Sequence, residues 1–274
     1  MPELPDLVVL ARSMDEALRG KTVADVTVNQ PKCLNLEPDA FRAQIVGRRL
    51  GGSRQRGKWA LTDLDNGATL AQNLGMGGEI RLHGPDADPD PDRERVIFRF
   101  TDGDQLWVHH WWFGHVHLVP PGALDAHPQI GVLGPEPLAE DFTVARLAEM
   151  LRGKRGRIKA YLLDQRFLAG IGNVYVQDTL WYARLHPERK ANTLDEADIA
   201  RLHGAIQRVL NEGIRAGGGP GEKDVYGREG RYYPDHIQIG YKKGQPCPNC
   251  GALIEELRVG QTTSFICPQC QPMA

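Results

Sequence analysis

The chain lacks any unbroken run of about 18 apolar residues, the length that reads as a membrane-spanning helix. It lacks a basic-then-apolar leader as well, because Glu3 and Asp6 stand in its opening stretch. A cytoplasmic protein with no membrane partner is expected. Charge is nearly balanced, at −2 over 274 residues, so the global composition gives no hint of a polyanionic partner. No G-x-S-x-G or H-E-x-x-H occurs, which removes the commonest serine-hydrolase and zinc-protease patterns. Gly221 is followed by Glu222, so "GGGPGEKD" fails the phosphate-loop pattern and reads as a flexible loop or a lid. "GIGN" at 170–173 lacks the third glycine of a dinucleotide fingerprint.

Cysteine is scarce, and four of the five stand in pairs. "CPNC" (247–250) and "CPQC" (267–270) are separated by sixteen residues. That is zinc-ribbon spacing, each pair offering two thiolates from a tight turn with room for a hairpin between. Cys247, Cys250, Cys267 and Cys270 would fill all four positions of one Zn²⁺, so the metal is structural and a zinc hydrolase is excluded. Cys33 stands alone and reads as a small buried hydrophobe. His109, His110, His115 and His117 have no acids or cysteines beside them and are not taken as a metal site.

What is present is a change of pattern along the chain. Leu7, Leu10, Met14, Ala17 and Leu18 share one helical face within 6–19. From 22 to about 119 short strand-like runs dominate, with turns at "DNG" and "DGD". One helix followed by many strands predicts a two-sheet sandwich. Prolines and glycines at 120–122 and 134–137 mark a linker. From 140 to 216 the pattern is helical, with "TLDE" (193–196) read as a capping box. Two acid-free basic runs stand out, "RRLGGSRQRGK" (48–58) and "RGKRGRIK" (152–159), with five basic residues each. Together they suggest a surface that tracks phosphates.

The opening "MPELPD" admits two readings. Pro2 is compatible with simple removal of Met1. Removal would also leave a secondary amine, whose pKa of about 8 leaves a useful fraction neutral and able to attack a sugar C1′.

"MPELPD", "RGKWAL" (56–61), "NLGMGGEIRL" (73–82), "LGPEPL" (133–138), "GIGNVY" (170–175) and the C4 finger occur in that order. Together they resemble the formamidopyrimidine-DNA glycosylase/endonuclease VIII family over essentially the full length. The resemblance implies an α+β protein in three parts: a catalytic β-sandwich with a leading helix (1–133), a helix–two-turn–helix domain with a glycine-rich loop (134–236), and a zinc finger (237–274). It implies a monomeric base-excision glycosylase with strand-cleaving lyase activity, acting on damaged DNA at the nucleoid. A non-catalytic DNA-binding relative is the alternative. Pro2 matches the family nucleophile and Glu3 its acid/base partner. Lys58 matches a lysine that contacts phosphate and assists elimination. Asn173 would bind the DNA backbone, and Lys154 and Lys159 are phosphate contacts by charge. Met76 and Phe113 match residues that fill the stack when a nucleotide is turned out. Trp112 stands where an arginine is usual, and Thr262 where the finger carries another.

Overall fold

The computed structural model describes residues 1–273, except the side chain of Pro234. The chain divides into two compact units, residues 1–132 with 217–230, and residues 133–216 with 231–274.

The first unit opens with α1 (Leu4–Leu18), whose buried Leu7, Leu10, Met14 and Leu18 form the expected apolar face. β1 (Val23–Val28) follows. A helix that the strand-like patterning did not suggest, α2 (Pro38–Ile45), comes next. Proline at its first turn suits a helix start, and Phe41 and Ile45, four residues apart, are buried on one face. Seven strands complete the sandwich: β2 (Leu50–Arg56), β3 (Trp59–Leu64), β4 (Thr69–Asn73), β5 (Glu79–His83), β6 (Val96–Phe100), β7 (Gln105–His109) and β8 (His115–Val119). They form two four-stranded antiparallel sheets, ordered β1-β6-β7-β5 and β2-β3-β4-β8. In the first sheet Val96 pairs with Val108 and Phe98 with Leu106. In the second Leu70 pairs with Leu118. Alternation puts these side chains into one core with the apolar face of α1.

The glycine-rich segment packs into this first unit, which departs from the expected 134–236 domain. Val225 is buried in the sandwich core. Its N–H donates to Ser13 Oγ at 3.1 Å, and its carbonyl accepts from Leu82 N at 2.9 Å. Backbone pairing and an apolar anchor decide where a segment packs, and sequence adjacency does not.

The second unit is helical. It contains α3 (Val144–Leu151), α4 (Ile158–Leu163), α5 (Tyr175–Tyr182) and α6 (Glu196–Arg215). The capping box of α6 is Asp195 with Asp198, two residues beyond the expected Thr193 and Glu196. Thr193 belongs instead to a 3₁₀ turn. The helix ends at Ala216, where Gly217 takes the left-handed φ of +78° that favours glycine. β9 (Glu255–Val259) and β10 (Thr262–Ile266) form the expected hairpin between the cysteine pairs. No described helix is long and apolar enough to cross a membrane.

Candidate active site and nucleic-acid interface

The start of the first unit is held more tightly than a chain terminus usually is. Glu3 caps α1, and Glu3 and Asp6 form a reciprocal capping box. Asp6 Oδ2 accepts from Glu3 N at 2.6 Å, and Asp6 Oδ1 accepts from Gly219 N at 2.7 Å. Gly218 fits here because a Cβ would lie 2.9 Å from Asp6 Oδ1. Pro2 is buried and Glu3 is 3% exposed. The Met1 nitrogen lies 3.8 Å from Glu222 Oε1. A cavity of about 340 Å³ opens there, lined by Met1, Gly77, Gly78, Pro220, Gly221 and Glu222 among others. The signal for Glu222 in the sequence was slight, an acid inside a glycine-rich loop.

Lys58 occupies the tight turn between β2 and β3, where Arg56 pairs with Trp59. Its carbonyl accepts from Asn73 Nδ2 at 2.8 Å. The other end of that amide, Asn73 Oδ1, accepts from Gly75 N at 3.0 Å. Asn73 therefore ties the lysine turn to the loop that carries Met76, a positioning role the sequence reading missed.

Met76 and Trp112 exchange backbone contacts, Met76 N to Trp112 O at 3.0 Å and Trp111 N to Met76 O at 3.2 Å. The loops lie so close that a Cβ on Gly75 would sit 2.0 Å from Trp112 O. Phe113 has φ +58°, an unusual conformation for a bulky side chain. Trp112 and Phe113 are 67% and 77% exposed, and Met76 and Trp111 are exposed beside them. The two loops thus present four large apolar side chains to solvent, where burial would be the default. Trp111 was overlooked in the sequence because its neighbour drew the comparison. Its ring lies over Gly77, where an added Cβ would meet Cδ1 at 2.6 Å.

The histidines have ordinary packing partners. His115, His117 and His127 surround Trp59 with ring centroids 5.4–5.8 Å away, and His117 Nδ1 lies 2.9 Å from His127 Nε2. Burial, reinforced by His115 and His127, brings His117 down to about 4, so it is neutral at physiological pH.

In the second unit, Gln165 braces the two turns between α4 and α5. Its Nε2 donates to Ile171 O at 2.8 Å, and its Oε1 accepts from Gly170 N at 2.8 Å. Asn173 stands at the start of α5, half-buried, with Oδ1 accepting from Gln177 Nε2 at 3.1 Å. Lys154 is exposed, its ammonium 5.9 Å from the Tyr161 ring centre.

Lys159 departs from the expectation of a phosphate contact. It is 1% exposed, and Nζ donates to Thr263 O and Ser264 Oγ, both at 2.7 Å. Burial pulls it down to about 8. The helical position at the second residue of α4 points the long stem inward, where it fastens the β9–β10 hairpin. Gln177 reinforces that joint, its Oε1 accepting from Phe265 N at 3.0 Å.

Cys247, Cys250, Cys267 and Cys270 bring their sulfurs within 4.8 Å of one another. Tetrahedral Zn–S bonds of about 2.3 Å require sulfur separations of about 3.8 Å. The Cys247–Cys270 pair lies at 3.8 Å and the Cys250–Cys267 pair at 3.3 Å. The donor set fits one structural Zn²⁺ and leaves it no open position.

Three family descriptions match in chain order: the formamidopyrimidine-DNA glycosylase N-terminal domain over residues 1–111, the formamidopyrimidine-DNA glycosylase H2TH domain over 133–223, and the zinc finger found in FPG and IleRS over 244–272. The formamidopyrimidine-DNA glycosylase of Chloroflexus aurantiacus is 40% identical, covering 99% of this chain and 98% of that one. This chain belongs to the formamidopyrimidine-DNA glycosylase family. The Bacillus subtilis formamidopyrimidine-DNA glycosylase is 36% identical, with 99% of each chain covered. A crystal structure of the Lactococcus lactis Fpg in complex with DNA containing an abasic site superimposes with a TM-score of 0.92. It is 29% identical and covers 99% of this chain and 100% of that one.

Proposed function

We propose that this family member is a base-excision DNA glycosylase with associated lyase activity, in which the amine of Pro2, freed by removal of Met1, attacks C1′ of a damaged nucleotide. The observation that carries the reading is the clamped terminus. Asp6 fixes the Glu3 backbone and Glu3 is buried beside Pro2, so the capping box that starts α1 also holds an acid in place next to the terminal amine. Nucleophilic displacement of the base, ring opening with a proton from Glu3, and loss of the acidified C2′ proton give an iminium and then strand scission. Lys58 contacts phosphate and assists that elimination.

Reaching C1′ requires the nucleotide to leave the stack. Met76, Trp112 and Phe113, with Trp111 beside them, form the apolar wedge that fills the gap, a recurrent device of proteins that unstack bases. Lys154 and Asn173 bind backbone phosphates. A damaged-DNA substrate supports an intracellular site of action. The reading is tested by base release from a duplex carrying one formamidopyrimidine. The native protein should release the base and Pro2→Gly should not. Equal release by both would overturn the role of Pro2.

A further inference from the structure

The mechanism above leaves one acid unused. Glu222 stands on the glycine-rich segment 217–230, which packs against α1 of the same unit through Asp6 and Ser13. Its carboxylate is the group that faces the terminal nitrogen, 3.8 Å from the Met1 amine. Its backbone is pinned at both ends, Glu222 N donating to Gly219 O at 3.4 Å and Glu222 O accepting from Gly230 N at 3.0 Å. The side chain is therefore delivered to the terminus by a fixed loop. Removal of Met1 shifts the amine one residue along, to a nitrogen lying between the Met1 position and Glu3. Both of those groups interact with Glu222.

Resting on Pro2 as the nucleophile, we propose that Glu222 holds the terminal amine and takes up its proton as the nitrogen attacks, a proton-accepting role distinct from the acid role of Glu3. The charge surroundings suit this. Burial first, then the Asp6 and Glu3 carboxylates, raise Glu222 to about 7, while the amine pulls it down. An acceptor near 7 beside an amine of about 8 is well matched for proton transfer. The other charged groups in the cavity lining, Lys223 and Glu79, engage each other at 3.5 Å.

The protons balance without an outside reagent. The resting ammonium carries two. Glu222 takes the first, the free lone pair forms the N–C1′ bond as the C1′–N bond to the base breaks, and Glu222 passes its proton to the departing base. The second leaves the nitrogen for Glu3 as C1′–O4′ opens to the iminium, replacing the proton that Glu3 gives to O4′. Two protons are lost by nitrogen and two are gained, so the carboxylate ends as it began.

The experiment is the pH profile of single-turnover excision on a formamidopyrimidine duplex, for the native protein and for Glu222→Gln. The native rate should fall on the acid side of about pH 7, where Glu222 becomes protonated. In E222Q the limb should move to about pH 8, the amine's own ionisation. The defect should be about fivefold at pH 7, approach tenfold below about pH 6, and vanish above pH 9, where the amine is neutral without help. Affinity for a tetrahydrofuran-containing duplex and the melting temperature should change little. Glu222→Asp keeps an acceptor and should restore the lower limb; it carries the test if E222Q does not fold. An unmoved limb in E222Q, or a defect equal at every pH, would overturn the proposal. Absence of any excision by the native protein would instead overturn the assignment of Pro2.

Discussion

Replacing Lys159 with methionine keeps the stem of the side chain and removes its ammonium. Two charge-assisted hydrogen bonds go, to Thr263 O and Ser264 Oγ, each of about 1.5–3 kcal/mol. Thr263 O keeps a second donor, Gln177 Nε2 at 3.1 Å, so the loss falls at the lower end, about 3–4 kcal/mol. Against it stands relief of burying a charge. Burial alone takes the lysine from 10.5 to about 8, about 3 kcal/mol at 1.36 kcal/mol per pKa unit, and the two acceptors act in the opposite sense. The net expectation at pH 7 is a destabilisation of up to about 1 kcal/mol. Thermal unfolding and retention of zinc under a chelator would measure it. The sign with pH is fixed by the lowered pKa. Between about 8 and 10.5 the unfolded chain binds the proton that the folded one has released, so native stability rises there relative to the methionine variant. If K159M left stability and zinc retention unchanged and only weakened DNA binding at low salt, Lys159 would be a phosphate contact and the docking argument would fail.

Cys250→Ser should cost the second unit its zinc and most of its DNA affinity while the sandwich stays folded, since binding of the metal and folding of so small a module are coupled; native protein without zinc by elemental analysis would contradict this. Trp112 offers a stacking face and one N–H, and stacking of about 1–3 kcal/mol tolerates any base. Excision opposite the four bases should therefore differ by well under a hundredfold, and a larger preference for cytosine would refute the assignment. Thr262 turns its hydroxyl to Val259 O at 3.2 Å, and Arg258 pairs across the hairpin with Thr263, so neither is a cationic fork at the family position. Strand cleavage at an abasic site should stop mainly at the product of one elimination, with Thr262→Arg increasing the second; a dominant 3′-phosphate from the native protein would show that the arginine is dispensable.

The features legible in the sequence were those whose physics is local. The face of α1, the "DNG" and "DGD" turns and the cysteine spacing each depend on a few neighbouring residues, and all appear where expected. Features that depend on distant partners were misread or missed. The short helix α2 carries only Phe41 and Ile45 inward, too few to show a period among strands. Segment 217–230 reads as a polar loop, yet Val225 anchors it in the sandwich. Lys159 carries the same charge as Lys154, and only the fold reveals that one is buried on the finger hairpin and the other is in water. Glu222 and Trp111 belong to the same class, since each gains its meaning from a surface supplied by another loop.

The proposed chemistry forms a covalent bond between DNA and the chain's own terminus. Borohydride reduction of the native protein with an abasic-site duplex, followed by peptide mass spectrometry, addresses it most directly. The expected result is a single cross-linked peptide lacking Met1, with the sugar on the nitrogen of Pro2. A cross-link on Lys58 or another lysine, or an intact Met1 on the trapped peptide, would contradict it.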